Sequence, residues 1–201
     1  MDKNLLRRRH LLLVGFGILG AGVATAAVRG DKRASTPAIQ SSRIDTLDSA
    51  AAMPVASKTI PEFEGIREWL NSDPLTIAGL KGNVVLVQFW TFACINCQRT
   101  LPYVTQWHRQ YAAQGLKVIG VHTPEFAFER EVGNIERALR QHQITYAVPM
   151  DNDYKTWNAY ANQYWPHLYL ADRQGVLRYD HIGEGAYDKT EQTIQQLLNQ
   201  A

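Results

Sequence analysis

Cys94 and Cys97 are the only cysteines in the 201 residues, set two apart in Cys94-Ile95-Asn96-Cys97. A thiol reacts as its thiolate, and a helix start, with free N–H groups and the positive end of the helix dipole, favours that negative charge. An apolar run, Val84 to Val87, leads through Phe89-Trp90-Thr91-Phe92 to the pair, and a helix-like pattern follows at once. A strand that delivers Cys-x-x-Cys to a helix start suits disulfide exchange. Cys94, at the first turn, is the expected attacking sulfur. Cys97, one turn further in and less exposed, is expected to resolve the mixed disulfide. Ile95-Asn96 is uncharged and leaves the redox poise open. Two cysteines cannot staple a scaffold, and a domain of this length needs no staple.

Two other chemistries use the same residues. His122 and His167 could join the cysteines as metal ligands, although structural zinc sites want four ligands at known spacing. Thr91-x-x-Cys94 echoes the Thr-x-x-Cys of thiol peroxidases, but the proline expected four residues before the threonine is Val87. Arg99, close to the pair, is either an aid to the thiolate or a solvated helix-surface cation. Trp90 and Phe92, beside the cysteines, are core aromatics by type and also candidates to shape a substrate groove.

The elements that must position this pair follow from periodicity. A short N-terminal element around Phe63, Ile66, Trp69 and Leu70 and a small edge strand at Leu75–Ile77 precede the sheet. Val84–Trp90 is apolar nearly throughout, as a strand covered on both faces would be. Leu101, Val104, His108 and Tyr111 recur at helical spacing with Pro102 among them, and Gln114-Gly115 closes that helix. With Lys117–Val121 this makes a right-handed βαβ unit whose strands are parallel. Phe128, Val132, Ile135 and Leu139 predict a second helix to about Gln141. Tyr146, Val148 and Met150 alternate as a strand, and a short helix follows around Thr156–Tyr160. Trp165-Pro166 precedes a strand at His167–Ala171. Asp172-Arg173-Gln174-Gly175 is a hairpin turn into an antiparallel strand at Val176–Ile182. The last helix starts at Asp188, with Glu191 completing a capping box.

The rest of the chain reads as an address. Lys3, Arg7, Arg8 and Arg9 precede an uncharged run from Leu11 to Val28, and Ala-Thr-Ala ends at Ala26. This is the pattern of an export signal, twin-arginine or general secretory, and the 18-residue run is also just long enough for an uncleaved anchor. Residues 1–28 are read as signal or anchor, 29–58 as a flexible linker and 59–201 as one domain. A net charge of +2, with no basic stripe interleaved with aromatics, gives no footprint for nucleic acid.

The order of elements resembles the thioredoxin fold: three α/β/α layers, a mixed central sheet and an inserted helix and strand. The phrases FWTFACINC, GVHTPEFAFER, DNDYKTWNAYANQYWP and the final GEG are similar to the thioredoxin-like domain of DipZ-type proteins, within the TlpA-like group of exported redoxins. The resemblance covers roughly Pro61 to Leu198. It implies that Pro102 is the helix proline of thioredoxins and that Pro166 is their cis-proline facing the dithiol. It implies further that the backbone of Trp165 receives an extended substrate strand. The implied protein is an exported thiol–disulfide oxidoreductase without a cofactor. It would act on protein disulfides or dithiols of the cell envelope, most simply as a reductant, with electrons from a separate membrane partner of the DsbD/CcdA type. A metal-binding or chaperone module on the same fold, and a thiol peroxidase, are the alternatives.

One departure matters. Thioredoxins place a buried acid on the central strand, and the matching residue here is Gln88, which cannot accept a proton at neutral pH. Some TlpA-like proteins use a glutamate three residues after the second cysteine, where this chain has Thr100. Parallel neighbouring strands share the edge at their C-terminal ends, so the His122–Glu125 loop should lie near Cys94. Glu125 is the expected proton acceptor, or else a solvated loop carboxylate.

Overall fold

A computed structural model describes residues 58–200. The expected signal or anchor at 1–28 and, except for Lys58, the linker at 29–58 lie outside them.

The sheet is built outward from β2 (Val84–Trp90), in which every residue is buried. β3 (Leu116–His122) lies parallel to β2 on one side, from Val84 opposite Leu116 to Trp90 opposite His122. β5 (His167–Ala171) lies antiparallel on the other side, with Gln88 opposite Leu168, and β6 (Leu177–Ile182) completes the order β3-β2-β5-β6. Alternation along β2 sends its side chains to two cores. Val84, Leu86 and Trp90 share one with Cys97, Leu101, Val104 and Trp107 of α1 (Ile95–Tyr111) and with Ile194 and Leu197 of α4 (Tyr187–Leu198). Val85, Val87 and Phe89 meet Ile60, Phe63, Trp157 and Tyr160 on the other face. Each such side chain contributes roughly 1.5–3 kcal/mol when removed from water, so both faces of β2 hold the strand that carries the cysteines.

Gln88 has the parity of Leu86 and Trp90 and therefore belongs to the α1 face. It is buried, and neither its amide nitrogen nor its amide oxygen has a hydrogen-bond partner among the described residues. Pro102 sits inside α1. The helix ends at Tyr111, and one 3-10 turn (Ala112–Gln114) carries the chain to Gly115, whose φ of 101° suits glycine.

Three expectations need correction. Leu75–Ile77 is not a strand: Thr76 Oγ1 accepts from the Gly79 N–H and turns the chain there. The early strand is instead β1 (Trp69–Leu70), antiparallel to β4 (Val148–Pro149) in a separate two-stranded ladder. The second helix, α2 (Val132–Gln141), begins later than the apolar spacing implies. Phe128 lies in a preceding 3-10 turn (Ala127–Arg130) and stays 51% exposed, while Ile135, Ala138 and Leu139 are buried. Finally, α4 has no capping box. Its N-cap is Ala186 at φ 49°, and Glu191 Oε1 accepts the Tyr111 hydroxyl at 2.7 Å instead, tying α4 to α1. Between these parts, α3 (Lys155–Ala159) is held at its start by Asp151, which accepts from the Thr156 and Trp157 amides at 3.2 and 2.8 Å.

Candidate active site

Cys94 is the N-cap of α1. Its backbone is extended, φ −75° and ψ 113°, and its Sγ accepts the Cys97 N–H at 3.2 Å, as a serine or aspartate would at this position. The Gln98 N–H bonds the Cys94 carbonyl at 3.0 Å, so the helix ladder starts at the thiol itself. Both cysteines are free thiols, Cys94 half-buried and Cys97 wholly buried.

Their environments drive the two thiols apart. A hydrogen bond from the Cys97 thiol brings Cys94 down to about 7, with help from the Cys97 and Asn96 amides and against partial burial and the Glu125 charge. Burial pushes the Cys97 thiol far up, and donation to Cys94 adds to this. The Thr91 backbone eases it, while the charges of Cys94 and Glu129 raise it further. An exposed sulfur ready to ionise at neutral pH beside a buried one that keeps its proton is the division of labour disulfide exchange needs.

The loop after β3 supplies a residue that sequence reasoning missed. Glu129 is buried, and its carboxylate takes four donors. Oε1 accepts the Thr91 hydroxyl and the Ala93 N–H, the latter at 3.1 Å, and Oε2 accepts the Glu125 and Phe126 amides at 2.7 and 2.8 Å. The His122 Nε2 lies 3.3 Å from the Thr91 hydroxyl, and burial holds this imidazole down at about 4, so it is neutral. The Thr91 hydroxyl directs its hydrogen at Glu129, so in the contact with His122 it is Nε2–H that donates to the Thr91 oxygen. The phrase GVHTPEFAFER contains both acids. A helix read as starting at Phe128 hides Glu129, because only the 3-10 turn brings it inward. Glu125 is exposed, and its charge acts on Cys94.

The Trp165–Pro166 bond is cis, and Pro166 is buried at the entry to β5, beside the strand that delivers the cysteines. Trp165 is half-buried, its Nε1 donating to the Thr123 carbonyl at 3.0 Å and its ring 4.2 Å from that of Trp157. Phe92 is half-buried and stacks on His122 at 5.7 Å, with Phe128 and then Phe126 continuing outward. Trp90 does not belong to a substrate groove. It has no exposed surface, and its Nε1 donates to the Gly120 carbonyl at 3.1 Å, so it is a core residue.

The alternative chemistries find their residues engaged elsewhere. His167 is bonded to Asn162 and Asp180 at 2.6 and 3.2 Å. Among the described residues no group of three or more His, Cys, Asp or Glu is placed to hold a metal ion. The Thr91 hydroxyl faces Glu129. Arg99 pairs with Glu184 at 3.2 Å on the surface, which directs its charge to the loop before α4, and Thr100 caps back onto the Asn96 carbonyl.

The model of the AhpC/TSA family matches residues 56–180, which contain both cysteines and Pro166. The chain belongs to the AhpC/TSA family. The chain is 43% identical over 165 residues to the protein DipZ of Mycobacterium bovis, an overlap of 81% of this chain and 24% of DipZ. It thus spans about a quarter of that relative's length. It is 28% identical over 139 residues to the thiol-disulfide oxidoreductase YkuV of Bacillus subtilis, covering 69% of this chain and 93% of YkuV. A thioredoxin-like protein solved in its oxidised form superposes with a TM-score of 0.65 at 29% identity, over 71% of this chain and 95% of that one. The fold of this AhpC/TSA member is thioredoxin-like, a TlpA-like redoxin with its mixed sheet and inserted elements.

Proposed function

We propose that this chain is an exported thiol–disulfide oxidoreductase that reduces disulfides of envelope proteins through Cys94 and Cys97. The observation that carries the reading is the half-exposed Cys94 sulfur at the start of α1, accepting the Cys97 N–H and brought down to about 7, with the buried Cys97 behind it.

The Cys94 thiolate attacks one sulfur of a substrate disulfide. That S–S bond breaks as the new one forms, and the departing sulfur takes a proton from solvent. Cys97 then loses its proton, attacks Cys94 Sγ and expels the second substrate sulfur, which is protonated in turn. The substrate gains two electrons and two protons, and the Cys94–Cys97 pair becomes the disulfide. A membrane dithiol partner of the DsbD/CcdA type restores the dithiol. Pro166 faces the pair, and the Trp165 backbone receives an extended substrate segment, with Phe92 at the rim. The basic, then uncharged, N-terminal sequence supports residues 1–28 as signal or anchor, 29–58 as spacer and 59–201 as the redox domain, acting in the periplasm or its equivalent. Among the described residues no helix is long and apolar enough to cross a membrane.

Insulin reduction with dithiothreitol tests the chemistry. Cys94→Ser is expected to abolish it, and Cys97→Ser to accumulate mixed disulfides; activity that survives Cys94→Ser removes the reading. The potential of the Cys94–Cys97 couple tests the direction, a strongly negative value being expected of a reductant.

A further inference from the structure

We propose that Glu129 is a positioning residue for the dithiol: from the loop after β3 it holds the Thr91–Ala93 turn that leads into Cys94, and its charge opposes the loss of the Cys97 proton. The inference rests on the assignment of Cys94 and Cys97 as the reacting pair.

The geometry is that of a charge built in deliberately. A carboxylate offers about four lone-pair sites, and the four donors to Glu129 come from two segments: Thr91 and Ala93, 38 and 36 residues before it and just ahead of the cysteines, and Glu125 and Phe126, 4 and 3 residues before it in its own loop. All four donors are neutral dipoles, one hydroxyl and three backbone amides. Thr91 joins the acid to the inner sulfur. Its hydroxyl binds Glu129, and its backbone favours ionisation of the Cys97 thiol. Ala93 joins it to the outer sulfur as the residue immediately before Cys94.

The titratable groups that act on the dithiol are the two cysteines themselves and Glu125 and Glu129 from the loop after β3; neutral His122, at the end of β3, contacts Thr91. Glu125 is exposed and acts on Cys94. Glu129 is the buried acid acting on Cys97, and it opposes a second negative charge there. Gln88, on the same face of β2, brings no charge. Glu129 therefore reaches the inner thiol from a different element than the central strand. Burial and donation to Cys94 do most to keep Cys97 protonated; Glu129 adds its charge to them, and it holds the Thr91–Ala93 turn in place during the second attack.

The test uses the full reduced chain mixed with 5,5′-dithiobis(2-nitrobenzoate). Cys94 releases one thionitrobenzoate as it forms the adduct, and Cys97 expels a second as it closes the Cys94–Cys97 disulfide. The rate of the second release is followed against pH. A wild-type chain that releases no second equivalent defeats the dithiol assignment itself; the remaining outcomes concern Glu129 alone. In Glu129→Gln the rate–pH curve is expected to move to lower pH by on the order of one unit, and Glu129→Asp, which restores the charge, to move it back. A folded Glu129→Gln whose curve superposes on that of the wild type overturns the proposal, whatever its loss of thermal stability. Thr91→Val keeps the charge and removes the hydroxyl link, so it is expected to slow the second release several-fold without displacing the curve. An unchanged rate in Thr91→Val also overturns the proposal, including in the case where Glu129→Gln does not fold.

Discussion

The Cys97 backbone N–H points at Cys94 Sγ from 3.2 Å, so the nucleophile is held by the first turn of the helix it caps. The cap is stronger when the sulfur is charged, because a charge-assisted hydrogen bond is worth roughly twice a neutral one. Thiolate formation and helix start are therefore coupled. The reduced protein is expected to alkylate at Cys94 with a half-maximal rate near pH 7, slower below it where the thiol keeps its proton. Cys97 should remain unmodified in the folded chain. Iodoacetamide rates against pH, with the labelled site read by peptide mass, check this. Equal labelling of both sulfurs at pH 7 would contradict it.

His122 predicts an acid limb in stability. Burial holds its imidazole at about 4, below the ordinary 6.5. Between those values the unfolded chain takes a proton that the folded chain refuses, so stability present above pH 6.5 falls as pH drops through 4. The full displacement corresponds to about 3 kcal/mol. Asp151 runs the other way: burial raises its carboxyl to about 6, so its contribution grows as pH falls through that value. In His122→Phe, which keeps a ring between Phe92 and Trp90, the stability lost between pH 7 and pH 4.5 should shrink by about 2 kcal/mol relative to the wild type. Urea midpoints at both pH values measure it, and parallel losses in the two proteins would refute the assignment.

Gly120 predicts a steric limit beneath the site. A Cβ there would lie 2.8 Å from the Tyr146 ring and 3.0 Å from Trp90 Nε1, both buried, and Trp90 is bonded to the Gly120 carbonyl. Neither ring is the loose end of a flexible chain. Gly120→Ala should cost about 1–3 kcal/mol, seen as a lower denaturant midpoint with an unchanged slope. A neutral result would mean that the β3 edge yields more easily than the packing implies.

The aromatic run Phe92, Phe128, Phe126 predicts a substrate effect without a stability effect at its outer end. Phe126 is 50% exposed and stacks only on Phe128, 5.7 Å away, among aromatic partners. Phe126→Ser should change stability by less than about 0.5 kcal/mol while raising KM for a protein disulfide and leaving dithiothreitol-driven reduction of a small disulfide unchanged. An unchanged KM for both substrates would place the groove elsewhere.

How much of this was readable in advance depends on the range of the interaction. The strand Val84–Trp90, the parallel β3, the hairpin at Asp172–Gly175 and the dithiol at a helix start are written in local patterns. Apolar runs, period and turn residues act over a few positions, and the structure has them close to where those patterns put them. The missed elements are those whose local signal was outbid by tertiary contacts. Glu191 could have closed a capping box, but the Tyr111 hydroxyl across the core takes its carboxylate. Phe128 had helical spacing with Ile135, but the loop before α2 turns to bury Glu129.

Glu125 and Glu129 make the same point at the site. Local patterns are enough to place a dithiol at the start of a helix, to show that Gln88 and Thr100 bring no acid to it, and to put Glu125 in the loop after β3 and Glu129 in what reads as the helix beyond. Which of the two turns inward was settled by packing. A carboxylate enters the interior only where enough donors meet it, and the four that meet Glu129 come from the turns that follow β2 and β3. No local pattern records that convergence, because it exists only once the two strands lie side by side.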